Sequence, residues 1–343
     1  MGCTFTKEDD DGRAEHNQVE KGLKSDYVSR TREIKILMLG TGDSGKSTVL
    51  KQLKFINGGG YSDEERLFFK AVIFTNIVQS MQAILEAMDV FGIPFASPAT
   101  ANPHASLIFS QRQKITAQEL SPDVHIAVRT LWADAGVRAC FSRCSEFQVC
   151  DSAQYYFDEI DRIAAENFLP NDQDILRSRQ KTTGVAEFSF TSPSKDNTVY
   201  RIIDVGGQRS ERKKWMHHFE DVDLVLFLVA LSEYDQALYE DGSVNRLQEA
   251  LDLFHSICQS QWFRRTAVQL VFNKTDLFRE KLKHSPLEAH FPDFQGGADY
   301  AAAREYIANR FISMGQTRYP DNYLCATDTA QVRLLVGRII DRM

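Results

Sequence analysis

Gly40-Thr41-Gly42-Asp43-Ser44-Gly45-Lys46-Ser47 has the spacing G-x-x-x-x-G-K-[ST], the signature of a loop that wraps phosphates. Its glycines let backbone N–H groups turn inward, Lys46 can reach terminal phosphate oxygens, and the Ser47 hydroxyl can ligate Mg2+. Asn273-Lys274-Thr275-Asp276 supplies a second constellation, in which an Asp276 carboxylate can accept from guanine N1 and N2. Adenine offers no such donors, so a site built this way discriminates strongly. Asp204-Val205-Gly206-Gly207-Gln208 supplies a third: Asp204 to hold Mg2+ through water, Gly207 to donate an N–H to a terminal phosphate, and Gln208 to orient an attacking water. Arg177 to Gly184 adds guanidinium groups and hydroxyls, and Cys325-Ala326-Thr327 can pack on the base through backbone groups. Taken singly, the arginines also read as a solvated linker and N-K-x-D as an ordinary polar loop.

These motifs need a strand before each loop. Glu33 to Leu39 reads as a buried strand running into the glycine loop and a helix beginning near Lys46. Further strands are expected at Glu187 to Phe190, Val199 to Ile203, Val222 to Ala230, Ala267 to Phe272 and Tyr323 to Ala326, with helices such as Val244 to Gln259 between them. That alternation implies an α/β fold with a mostly parallel sheet covered on both faces. Between Ser62, which with Glu65 makes a capping box, and about Pro170 only helical signals occur, including Ser121-Pro122 as a helix start. The expected organisation is an N-terminal amphipathic helix over 1–33, a first sheet segment over 34–61, an all-helical insertion over 62–172, and the rest of the sheet domain over 173–343.

At 343 residues, with 43% hydrophobic and 25% charged residues, the chain suits two domains with sizeable cores. A net charge of -7 argues against nucleic acid as a partner. The six cysteines are scattered, as in a reducing, cytosolic compartment; Cys140, Cys144 and Cys150 lack paired metal-ligand spacing and read as packing residues. No apolar run reaches the roughly 18 residues needed to cross a bilayer. Membrane attachment is expected instead from Met1-Gly2-Cys3-Thr4-Phe5-Thr6, in which Gly2 fits N-myristoylation and Cys3 palmitoylation. Two chains hold where one binds only marginally.

This whole pattern, including the stretch DVGGQRSERKKW from Asp204 to Trp215, resembles the heterotrimeric G-protein alpha subunits over nearly the entire chain. The resemblance implies a Ras-like P-loop GTPase domain with an inserted helical domain, and a GTP-hydrolysing transducer that cycles between GDP and GTP with Mg2+. It makes Arg179 a built-in arginine finger, Gln208 the water-positioning residue, and Ser47 and Thr182 the Mg2+ ligands. Asp43, Ser44, Gly45, Lys46, Thr48, Leu176, Arg177 and Gly207 fall to the nucleotide, with Asp151 and Ser152 facing it from the insert. Asn273, Lys274 and Asp276 read the base beside Cys325, Ala326 and Thr327. The implied partners are a beta-gamma dimer, bound through the N-terminal helix and Lys213, Lys214 and Trp215, an effector, a seven-helix receptor and a GTPase-activating regulator. The implied location is the cytoplasmic face of the plasma membrane.

Two departures from the family pattern carry expectations. The last helix, from about Thr329, runs to Met343 where family members continue for further turns that engage a receptor, a departure that puts the implied receptor coupling in question. Asp43 stands where the family usually has Glu, and the shorter carboxylate is expected to reach Arg179 less well and speed exchange. A P-loop phosphotransferase or ATPase, which would not explain Asp276, and a nucleotide-binding scaffold are the competing readings.

Overall fold

The computed structural model describes residues 33–111, 119–192, 195, 197–315 and 322–343. The expected lipidation site Gly2-Cys3 and the amphipathic segment before residue 33 lie outside them. Strand β1 (Glu33–Leu39) is followed by α1 (Lys46–Asn57) and six further helices: α2 (Asp63–Phe91), α3 (Pro98–Ser110), α4 (Pro122–Ala133), α5 (Ala135–Phe141), α6 (Ala153–Asp158) and α7 (Ile160–Ile163). Then come α8 (Asp172–Arg177), β2 (Val185–Ser192), β3 (Thr198–Val205), β4 (Leu224–Ala230), the short pair β5 (Ala237–Leu238) and β6 (Asp241–Asn245), and α9 (Arg246–Gln259). The described chain ends with β7 (Ala267–Asn273), α10 (Thr275–Lys281), α11 (Tyr300–Ile312) and α12 (Thr329–Arg342).

The main sheet has the order β2-β3-β1-β4-β7. β3, β1, β4 and β7 run parallel, and only the edge strand β2 is antiparallel to its neighbour. Alternation sends successive residues of each central strand to opposite faces, and both faces are apolar. Ile34, Ile36 and Met38 face α1 and α12, meeting Val49, Leu53, Val332 and Leu335. Leu37 and Leu39 face the other way, into a cluster with Phe254 of α9 and Phe311 of α11. The carboxyl ends of β1, β3, β4 and β7 therefore open on one edge, where the loops carrying the chemistry emerge.

A third cluster is built from helices and the turns between them, reaching from Phe69 to Ile175 around α2. α2 starts on the expected capping box: Ser62 Oγ accepts from Glu65 N at 3.3 Å while Glu65 Oε2 accepts from Ser62 N at 3.0 Å. At 29 residues it is long and apolar enough by composition to cross a membrane, a helix that a search for uninterrupted apolar runs overlooks. Ile73, Ile77, Met81 and Ile84 are fully buried in the helical cluster, so it is the spine of that body. Cys140 packs there too.

Three boundaries differ from expectation. Tyr323 to Ala326 is no strand: Tyr323 forms a single parallel bridge with Phe272, after which the chain is drawn onto Asn273. The chain before α9 forms the unexpected β5–β6 pair, and α9 begins at Arg246, where Asn245 caps Leu247 N and Gln248 N. Arg177 is the last residue of α8 and not part of a free linker.

Candidate functional site

The loop edge of the sheet and the helical body enclose a cleft of about 810 Å³, and every catalytic and nucleotide-contacting residue expected from the sequence lines it. Its floor is the loop between β1 and α1. Gly45 has φ +100°, and a Cβ there would sit 2.0 Å from Asn273 Nδ2, so only glycine fits. Lys46 is buried and curls over the loop, donating to Thr41 O at 2.7 Å, Gly40 O at 3.0 Å and Ser44 Oγ at 3.2 Å. Burial pulls its ammonium down from the ordinary lysine value, against the pull of Asp204 and Asp43. Gly207 lies directly above: a Cβ on it would meet Lys46 Nζ at 2.5 Å.

Ser47, Thr182 and Asp204 come together from three separate segments. Ser47 Oγ donates to Asp204 Oδ2 at 2.6 Å and lies 2.7 Å from Thr182 Oγ1. Asp204 is fully buried, its Oδ1 has no hydrogen-bond partner, and burial raises its carboxyl despite Lys46. Two hydroxyls beside a buried carboxylate with an unused oxygen match the all-oxygen preference of Mg2+, so the residues present fit that ion.

Arg179 stretches across the cleft to the P-loop. Its Nε and Nη2 donate to Asp43 Oδ1 and Oδ2 at 2.9 and 2.7 Å, a bidentate pair. The expected shortfall in the reach of Asp43 is therefore not found. Asp43 takes up a left-handed conformation, φ 61°, which carries its short side chain toward the arginine. Burial alone would raise the Asp43 carboxyl, but Arg179, Arg246 and Lys274 hold it well below the usual carboxylate range. The main chain of Arg179 is fixed by Asn76 of α2, whose Oδ1 accepts from Arg179 N at 2.7 Å and whose Nδ2 donates to Arg179 O at 2.8 Å. Asn76 was not anticipated. Its signal is a polar residue one turn from Ile73 and Ser80 on a buried helical stripe.

At the other end, the Asn273 side chain joins two loops. Nδ2 donates to Ser44 O and Oδ1 accepts from Ala326 N, both at 2.9 Å, while Gln52 Nε2 donates to Ala326 O at 2.9 Å. Asn273 thus shapes the base end, with a second Nδ2 hydrogen and a second Oδ1 lone pair beyond these two bonds. Lys274, in a left-handed conformation with φ 58°, donates to Asp151 Oδ2 of the helical body at 2.6 Å and to Glu233 Oε1 at 3.2 Å. Asp276, in the first turn of α10, and the Cys325 to Thr327 loop face the cleft with Ser152, Leu176 and Arg177.

Beyond Gln208 the chain forms a 3-10 turn over Arg212–His218. Arg209 and Arg212 both grip Glu249 of α9, at 2.5 and 2.7 Å. Lys213 and Lys214 are exposed, but Trp215 is buried and donates to Gly206 O at 2.8 Å, so it is not on the surface where a partner was expected to meet it. Apolar packing of the indole against Val205 and Phe219 outweighs its exposure.

The family model described as G-protein alpha subunit matches residues 13–343. The chain is 52% identical over 344 aligned residues to the "Guanine nucleotide-binding protein subunit alpha" of Cochliobolus heterostrophus, covering 99% of this chain and 96% of the relative. The same figures hold for the "Guanine nucleotide-binding protein alpha-1 subunit" of Neurospora crassa and the "Guanine nucleotide-binding protein subunit alpha" of Emericella nidulans. With a family model spanning almost the whole chain and half its residues shared with these relatives, the chain belongs to the G-protein alpha subunit family of guanine nucleotide-binding signal transducers.

Proposed function

We propose that this chain binds GTP in the cleft, hydrolyses it to GDP and phosphate, and signals through the loops that feel the difference. The observation that carries the reading is the meeting of Ser47, Thr182 and Asp204 within 2.7 Å beneath the P-loop, although they lie 135 and 157 positions apart. Lys46 exchanges its bonds to loop carbonyls for phosphate oxygens. Ser47 and Thr182, with Asp204 acting through water, would hold Mg2+, which would supply positive charge beside those oxygens. Gln208 orients a water whose oxygen forms the new bond to the terminal phosphorus as the bond to the departing GDP oxygen breaks. Arg179 leaves Asp43 to meet the charge developing on the transferred group; alpha subunits are a type case of this arrangement. Asp276 selects guanine.

Thr182 and Gly207 sit on two loops that a terminal phosphate would tether and its loss would release. Partners reading those loops, an effector, a beta-gamma dimer and a GTPase-activating regulator, would sense the nucleotide. Exposed Lys213 and Lys214 are the surface we assign to beta-gamma. Gly2 and Cys3 acylation would hold the protein to the cytoplasmic face of the plasma membrane, where a receptor would drive exchange. Mass spectrometry showing an unmodified Gly2 in cell-derived protein would remove the anchor and leave the GTPase reading intact.

Single-turnover hydrolysis of GTP, with ATP in parallel, tests the reading. Wild type should release phosphate from GTP alone, and Arg179→Cys and Gln208→Leu should each slow release by about 10²- to 10³-fold while still binding. Binding without turnover in the wild type would mean a scaffold, and equal use of ATP a phosphotransferase or ATPase.

A further inference from the structure

Glu233 lies in the 3-10 turn Leu231–Glu233 that follows β4, and only 2% of it is exposed. Its Oε1 is 3.2 Å from Lys274 Nζ and 3.2 Å from Arg246 Nη2, so the two cations are at most twice that distance apart. Each cation has a second partner on a different part of the cleft wall. Arg246 donates to Asp43 Oδ2 at 3.1 Å and to Gly42 O at 3.3 Å in the P-loop, and Asp43 in turn holds Arg179. Lys274 donates to Asp151 Oδ2 at 2.6 Å on the helical body. Lys274 is driven above the ordinary lysine value: burial lowers it, but Asp151, Glu233 and Asp43 more than compensate, while Arg246 opposes.

The turn itself has little freedom. Lys281 Nζ donates to Ser232 O at 3.0 Å and to Asp235 Oδ1 at 2.6 Å, Asn245 Nδ2 donates to Tyr234 O at 2.6 Å, and Tyr234 Oη donates to Ser285 O. A carboxylate fixed this firmly can hold two like charges side by side. Without it the cations repel through a low-dielectric interior, and both lose the positions from which Arg246 meets Asp43 and Lys274 meets Asp151.

We propose that Glu233 is a positioning residue that sets how fast the cleft opens and releases nucleotide. Its single carboxylate links the P-loop pairs, Arg246–Asp43 and Asp43–Arg179, to the cross-cleft pair Lys274–Asp151. Glu233 does not itself line the cleft. This inference rests on the cleft being the guanine nucleotide site.

Release of a fluorescent GDP analogue from the full chain tests it, in wild type and in Glu233→Gln, Glu233→Asp, Asp151→Asn and the Glu233→Gln/Asp151→Asn double variant. Glu233→Gln should release about tenfold faster, and Glu233→Asp should restore most of the wild-type rate. The double variant should release no faster than Glu233→Gln alone, because the loss of Glu233 has already freed Lys274. Raising ionic strength should speed release from wild type more than from Glu233→Gln. A wild-type rate in Glu233→Gln overturns the inference, as do accelerations that multiply in the double variant. If Glu233→Gln cannot be purified folded, Glu233→Asp and Asp151→Asn carry the same test: multiplying accelerations overturn the linkage, and sub-multiplicative ones support it. A wild type that binds no guanine nucleotide would instead overturn the functional reading on which the inference rests.

Discussion

The phosphate end of the cleft and the seam between the sheet domain and the helical body are held by opposite means. Around Lys46 the partners are backbone carbonyls and short side chains of one contiguous loop, all buried. Across the seam they are long charged side chains, Arg179 to Asp43 and Lys274 to Asp151, drawn from segments more than a hundred positions apart. A cation held by rigid acceptors before the ligand arrives favours affinity. Ion pairs between two bodies, partly open to water, can break and re-form, and so favour control of rate.

The largest effect is expected where that division is sharpest. Lys46→Ala removes a buried cation and its phosphate contacts, and GDP affinity should fall by about 10²- to 10³-fold in calorimetric titration. A loss below about tenfold would mean the seam holds the nucleotide and the loop merely shapes it. Next comes the spine of the helical body. Ile77→Ala deletes a fully buried side chain, which should cost about 2–5 kcal/mol. Hydrogen exchange should then show lost protection through α2 and its neighbours, with the amides of β1 and β4 still protected. Equal loss in both would merge the two bodies into one cooperative unit.

The same division explains what could be read from the sequence. The P-loop, Asp204 to Gln208 and Asn273 to Asp276 are short motifs whose spacing is tied to a strand end, so both their residues and their place at the sheet edge were legible. The all-helical character of the insert followed from the period of α2. Asn76, Gln52, Arg246 and Glu233 were not legible, because each acts through a partner 41 to 274 positions away or sits in an otherwise ordinary element. The bonds by which the Asn273 amide also joins Ser44 to Ala326 were not legible, because they close between segments far apart in the chain. Tyr323 to Ala326 looked like a strand since apolar residues there do pack beneath β7; hydrogen bonds to Asn273 and Gln52 outcompete a longer ladder.

A smaller effect is expected at the seam itself. Asp151 is partly exposed, so its bond to Lys274 is screened, and Asp151→Asn should speed GDP release by only about threefold. GDP affinity should change less than the release rate, since easier opening admits nucleotide as well as releasing it. Stopped-flow measurement of both directions checks this. A slower or unchanged release would place the gate at the other seam pair, Asp43 and Arg179.

The smallest effect should come from Ser62, beside the seam in sequence but not part of it. Its hydroxyl caps α2, and Ser62→Ala should cost about 1 kcal/mol of local stability, because Glu65 N loses an acceptor that water replaces at this exposed end. Glu65 would still pair with Lys54 and accept from the residue 62 amide, limiting the fraying to the first turn. Arg66 donates to Pro170 O at 2.8 Å, tying that turn to the chain returning from the helical body. Hydrogen exchange should therefore quicken only near residues 63–66, with GDP release unchanged. Faster release would show that the first turn of α2 works with the ion pairs as part of the gate, and the seam would then extend from side chains into the backbone on which the helical body turns.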